Sequence, residues 1–187
     1  MRTLALTTVI LGLAVSALGQ DPAKPAGPPK RPHVDVQTIA PRPDDVATID
    51  GIVKAYYEVV CGPAGTPRQW ARDRTLYIPE LRFVDVGYDK SGAIVPRIRT
   101  HQEYVDASNP MADEGFFEKE IHRVSERFGP IAHVWSTYES RRTETGPVIA
   151  RGINSIELFW DGKRWWIANA IWTDETKGTP IPKEYLP

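Results

Sequence analysis

The second half of the chain alternates apolar and polar residues with a period of two through four long stretches, residues 115–127, 131–142, 148–160 and 164–173. That period belongs to strands with one buried face. The breaks between them are turn formers: Phe128-Gly129-Pro130, Glu144-Thr145-Gly146-Pro147 and Asp161-Gly162-Lys163. Two shorter runs, 81–86 and 93–99, alternate in the same way around Asp89-Lys90-Ser91-Gly92. A meander of this length must have its apolar face covered by other elements of the chain.

Three helices precede or interrupt the strands and supply the cover. Val46, Ile49, Val53, Tyr56 and Val60 recur at helical spacing and predict one helix over residues 44–61, opened by Pro43-Asp44-Asp45 and closed by Gly62. A second opens at Thr66-Pro67, carries Trp70 and Leu76, and stops before Pro79. Thr100-His101-Gln102-Glu103 is a capping box and starts a third, ending near Asn109-Pro110, with His101 expected on its exposed side.

The turn at 144–147 sets the register of the two strands beside it. Ala132 falls opposite Leu158, Val134 opposite Ile156, Ser136 opposite Asn154 and Tyr138 opposite Gly152, which makes one apolar face with a polar island. The other face sets Glu139 beside Arg151 and His133 beside Glu157, two charge pairs. On the last strand the register stays open. A three-residue loop places Trp166, Ala168, Ala170 and Trp172 on the first face, and a two-residue loop places Trp165, Ile167 and Asn169 there.

The ends of the chain read differently. Arg2 followed by the apolar run from Leu4 to Val15 and the small residues near Gly19 predicts a signal peptide over residues 1–19, hence an exported protein, periplasmic or extracellular. Such a run is too short for a permanent membrane span, so no integral membrane segment is expected after its removal. Residues 20–43 hold seven prolines and are expected to be a disordered linker that adds nothing to stability. The domain then spans residues 44–176, and 177–187 forms an extended tail. Cys61 is the one cysteine, so no internal disulfide is possible. Formal net charge is −1 with the basic residues scattered, which argues against a nucleic-acid partner. The four histidines are far apart, so neither metal nor cofactor is expected.

Several stretches resemble exported members of the nuclear-transport-factor-2-like (SnoaL-like) superfamily. They are Phe116-Phe117-Glu118-Lys119-Glu120-Ile121, Phe128 to Val134 (FGPIAHV), Ser136-Thr137-Tyr138-Glu139-Ser140, Arg151 to Ile156 (RGINSI) and Asp161 to Ile167 (DGKRWWI). The resemblance covers roughly residues 44–175. It implies an α+β, cystatin-like, cone-shaped roll: a curved antiparallel sheet wrapped around N-terminal helices, with a pocket at the open end. The superfamily uses that pocket for isomerases, cyclases and dehydratases, and also for plain binding and assembly. The isomerase-type Tyr and Asp pair and the dehydratase-type His and Asp constellation have no matching positions here.

Two sets of site residues follow. Ser136, Tyr138 and Asn154, with Trp172, are the candidate ligand contacts. Glu120 and His122, which alternate with Ile121, are the candidate acid–base couple at the pocket mouth, while Glu118, Lys119 and Arg123 read as plain surface. The leading expectation is a pocket for a small, largely apolar molecule. The alternatives are an acid–base enzyme, marked by a carboxylate or histidine of displaced pKa within the pocket, and a protein-interaction module, marked by a filled cone. The second hairpin is apolar on both faces, so a homodimer through the sheet is expected.

Overall fold

Pairing of the six strands is the organising feature of the computed structural model, which describes residues 33–187. The signal-like run and the first part of the Pro-rich stretch lie outside those residues. The strands are β1 (Phe83–Tyr88), β2 (Ile94–Arg99), β3 (Phe117–Phe128), β4 (Ile131–Arg141), β5 (Val148–Trp160) and β6 (Trp165–Asp174), in the order β2-β1-β6-β5-β4-β3. The sheet is curved and unclosed. It is mixed rather than wholly antiparallel, because β1 lies parallel beside β6, with Phe83 opposite Ala170.

The β4–β5 register runs as the turn predicts, Ser136 opposite Asn154 and Tyr138 opposite Gly152. The last strand uses both registers that the sequence left open. Leu158 pairs with Ile167 but Glu157 pairs with Asn169, so Ala168 is an extra residue. Trp165 and Ile167 therefore face inward near the turn, and Ala170 and Trp172 face inward beyond the bulge.

The inner face meets a core of Ile52, Val53, Leu76, Leu81, Phe83, Val134, Ile156 and Ile167, all essentially inaccessible. The helix expected over 44–61 is two: α1 (Pro43–Val46) and α2 (Ile49–Glu58). Thr48 divides them by capping α2, its hydroxyl accepting from the Gly51 amide at 2.9 Å. A side chain on Gly51 would run into the Asp44 carbonyl, so the break needs a glycine there. The second helix is shorter than expected, α3 (Trp70–Arg74), and the capping box opens α4 (His101–Ser108). A single turn, α5 (Met111–Glu114), leads into β3. Arg72 grips Asp45 with two hydrogen bonds of 2.8 and 2.7 Å and reaches Glu58 at 2.8 Å, tying α1, α2 and α3 together. That pairing holds the Asp45 carboxyl below its usual range.

Two sequence expectations are corrected. Residues 33–42 are an extended segment bound to the domain: Val36 is buried against Trp70 and Val105, and its carbonyl accepts from Arg74 at 2.8 Å. The charge pairs on the outer face do not form although the register is right. Arg151 turns to Glu175 at 2.8 Å, and His133 bonds Ser155 at 2.9 Å. The outer face is covered in part by the chain's own tail. Ile181 is buried, Thr137 donates to the Tyr185 carbonyl at 2.6 Å, and Tyr185 packs on Trp135.

Candidate functional site

The cone encloses a cavity of about 310 Å3, bounded by α2, α4 and the inner faces of β1 and β3–β6. Its polar wall is built by strand pairing. Ser140 and Tyr138 on β4 bring Glu118 and Glu120 of β3 to the inner face as their register partners. Glu118 lines the cavity and accepts from the Ser140 hydroxyl at 2.9 Å. Burial lifts its carboxyl to about 7; the Ser140 bond pulls the other way, and the neighbouring Asp174 charge adds to the rise.

Tyr138 donates to Asp174 at 2.6 Å. Its ring crosses Gly152, the residue opposite both of them, where any side chain would collide with the hydroxyl. A glycine inside a strand marks such a close approach. Burial, and then the Asp174 charge, push the Tyr138 hydroxyl far above the usual phenol range, so it stays neutral.

A chain of hydrogen bonds leaves the cavity through α2. Tyr56 donates to Asn154 Oδ1 at 3.1 Å, Asn154 Nδ2 donates to the Tyr57 hydroxyl at 2.9 Å, and Tyr57 meets Ser136 Oγ at 2.6 Å. Ser136 donates to Glu120 at 2.5 Å, and Arg123 clamps Glu120 with bonds of 2.8 and 2.6 Å.

The six residues singled out from the sequence separate accordingly. Tyr138, Asn154 and Trp172 line the cavity. Ser136 is fully buried behind it, between Tyr57 and Glu120. Glu120 opens instead onto a shallow groove with Lys54, Glu58 and Arg123. His122 is not its partner. The pairing shifts between Glu120, opposite Tyr138, and His122, opposite Thr137, so Ile121 is a bulge residue and His122 faces the outer side. The expected couple is thus split across the sheet.

Glu118 and Asp174 were missed, the first because its neighbours looked like surface. Its signal was available: Glu118 shares the parity of Glu120, and the Tyr138 face continues to Ser140, its partner. His101 is corrected from exposed to nearly buried, its side chain 12 % accessible and bonded to the buried Asp73 at 2.8 Å. Among the described residues no cluster of His, Cys, Asp or Glu could hold a metal ion.

No protein-family model matches the sequence, and no curated protein matches it. Solved structures do match. A protein provisionally assigned as the β subunit of an aromatic-ring-hydroxylating dioxygenase from Novosphingobium aromaticivorans is similar at 13% identity and a TM-score of 0.52, over 72% of this chain and 95% of that one. An NTF2-like protein of unknown function from Shewanella baltica is 11% identical with a TM-score of 0.45, over 69% and 92%. A protein with a cystatin-like fold from Caulobacter vibrioides is 12% identical with a TM-score of 0.48, over 70% and 89%. At these identities the likeness is one of fold. With its helices and its curved, unclosed six-stranded sheet this chain is α+β, and in fold it is similar to the dioxygenase-type β subunit.

Proposed function

We propose that the cone binds a small, largely apolar molecule and that Glu118 exchanges a proton with it. One observation carries the reading: a carboxyl inside the cavity whose pKa lies at about 7, where it can both take and give a proton near neutral pH. Apolar walls from Val60, Phe83, Phe116 and Trp172 suit the body of such a molecule, and the Tyr138–Asp174 pair stands ready to orient it. The cavity is open, which speaks against a filled interaction module. Export is part of the proposal and rests on the Leu4–Val15 run. A homodimer through the sheet would have to use the outer surface that the tail leaves free.

Binding without reaction is the second reading. What favours it is that Asn154 spends both ends of its amide on Tyr56 and Tyr57 rather than on the cavity.

Native mass spectrometry of the purified chain identifies a retained small molecule, which is then incubated with the protein in heavy water. Deuterium should enter a carbon-bound position of the molecule with wild-type protein and with His122→Asn, and should not with Glu118→Gln. Equal uptake with Glu118→Gln would overturn the acid–base role; retention without any uptake would leave plain binding as the function.

A further inference from the structure

Outside the cone lies a second cavity, of about 460 Å3, between the segment around Ile39, α3, the start of α4 and the start of β6. Its walls carry Arg74, Arg82 and Arg164 and no Asp or Glu. Among the described residues none of these three arginines forms an ion pair. Each bonds only neutral acceptors: Arg74 the Val36 carbonyl and the Gln102 side chain, Arg82 the Glu80 and Leu81 carbonyls, Arg164 the Trp165 and Thr75 carbonyls. A guanidinium has five N–H donors, so every one keeps some unspent.

Arg68 and Arg127 also bond only carbonyls, so what gives the cluster meaning is that three such cations gather in one cavity. Arg72, Arg123 and Arg151 are all paired with carboxylates. Burial pulls Arg164 below its usual range, with Asp161 offsetting only part of this. A chain of net charge −1 has no general excess of positive charge to explain the grouping. His101 lines the same wall; its Nε2 is bonded to Asp73, and its buried Nδ1 has no partner. Trp166 stacks under Arg164 at 3.7 Å, and Ile39, Ile78 and Pro79 complete an apolar side.

We infer that this cavity is a binding site for an organic oxyanion, a carboxylate or phosphate carried on a compact apolar body. Guanidinium forks match both head groups, and the Trp166–Ile78 side takes the body. The site is separate from the cone and does not depend on the role of Glu118. Tyr77 is the wall between them, facing both.

Calorimetric titration of the full chain with phenyl phosphate, benzoate and inorganic phosphate tests it. One saturable site is expected for phenyl phosphate or benzoate, tighter than inorganic phosphate by about tenfold and weakened by added salt. Arg82→Gln and Arg164→Gln should each weaken it by about tenfold, the scale of one lost charge-assisted bond, and Glu118→Gln should leave it unchanged. Arg82 is exposed and bonds only two nearby carbonyls, so its variant remains informative should Arg164→Gln fail to fold. No saturable binding of any probe, or affinity unmoved by Arg82→Gln, overturns the site. Loss of binding in Glu118→Gln with Arg82→Gln unaffected places the anion in the cone and overturns it as well. Inorganic phosphate binding as tightly as phenyl phosphate removes the apolar half of the inference.

Discussion

Glu118 on β3 takes its side-chain hydrogen bond from Ser140 on β4, at 2.9 Å, while a second acid, Asp174, raises the cost of its charge. A single hydroxyl does not compensate the burial, so the folded chain holds this proton more tightly than the unfolded chain does.

That difference makes stability depend on pH. Below the ordinary value of 4.5 both states are protonated and nothing is lost. As pH rises from 4.5 to about 7 the unfolded chain ionises first, so stability falls, and above about 7 the loss is complete. Glu118→Gln removes the penalty. Urea unfolding at pH 4 and pH 8 should show the variant gaining about 1–3 kcal/mol on the wild type at the higher pH, with water in the cavity moderating the effect. Parallel curves would mean that Glu118 titrates normally.

Asn154→Leu is expected to destabilise the fold rather than only weaken binding. It leaves the Tyr56 hydroxyl without its acceptor and the Tyr57 hydroxyl without a donor, within the core. A buried polar group left unpaired costs about 1–3 kcal/mol. Chemical denaturation measures this directly, and an unchanged midpoint would show that water or a rearranged bond replaces the amide.

A chain that begins at Pro43 should melt several degrees below one that begins at His33. The shorter chain loses Val36 from its packing on Trp70 and Val105, together with the Arg74 and Gln102 bonds to this segment. Burial of one valine contributes about 1.5–3 kcal/mol, and about 2–4 °C accompanies each kcal/mol in a domain of this size. Coincident melting curves would return the segment to the status of a tether.

Removal of the residues after Glu175 should promote self-association. The tail covers Trp135, Ile153 and Ile171 on the outer face, with Ile181 buried against them. Sedimentation velocity at micromolar concentration should show the truncated chain heavier than the full one, relative to a single copy. A full-length chain already at twice the chain mass would mean that the dimer uses another surface.

The strands, their turns and the β4–β5 register were legible because period-two alternation and tight turns act locally. The bulges at Ile121 and Ala168 were not, since neither residue is distinguishable by type from its neighbours, and each inverts the alternation beyond it. The first bulge separated His122 from Glu120; the second merged two registers that looked exclusive. Glu118 was hidden for a different reason. A charged residue amid charged residues reads as solvated until the β3–β4 pairing sets it beside Ser140. Residues 33–42, which hold only Pro41, misled because they were read together with the prolines before them, although Val34 and Val36 have the spacing of an extended strand with one side buried.

The hydrogen bonds that run from Tyr56 to Glu120 have a fixed direction. Ser136 passes its one proton to the Glu120 carboxylate that Arg123 holds, so Tyr57, which accepts from Asn154, must donate its own proton to Ser136. Flipping the Asn154 amide would break two bonds at once, so the orientation is locked. A hydroxyl that has committed its one proton presents only lone pairs elsewhere. Tyr56 is committed to Asn154, Tyr138 to Asp174 and Ser140 to Glu118. A guest therefore meets a wall of acceptors, and its own hydroxyl or amine protons are what that wall selects. A carbonyl oxygen on the guest needs another donor, such as Tyr104, Ser108, Trp172, Arg99 or Arg142, or Glu118 while it keeps its proton, and the last makes the choice of guest sensitive to pH near 7.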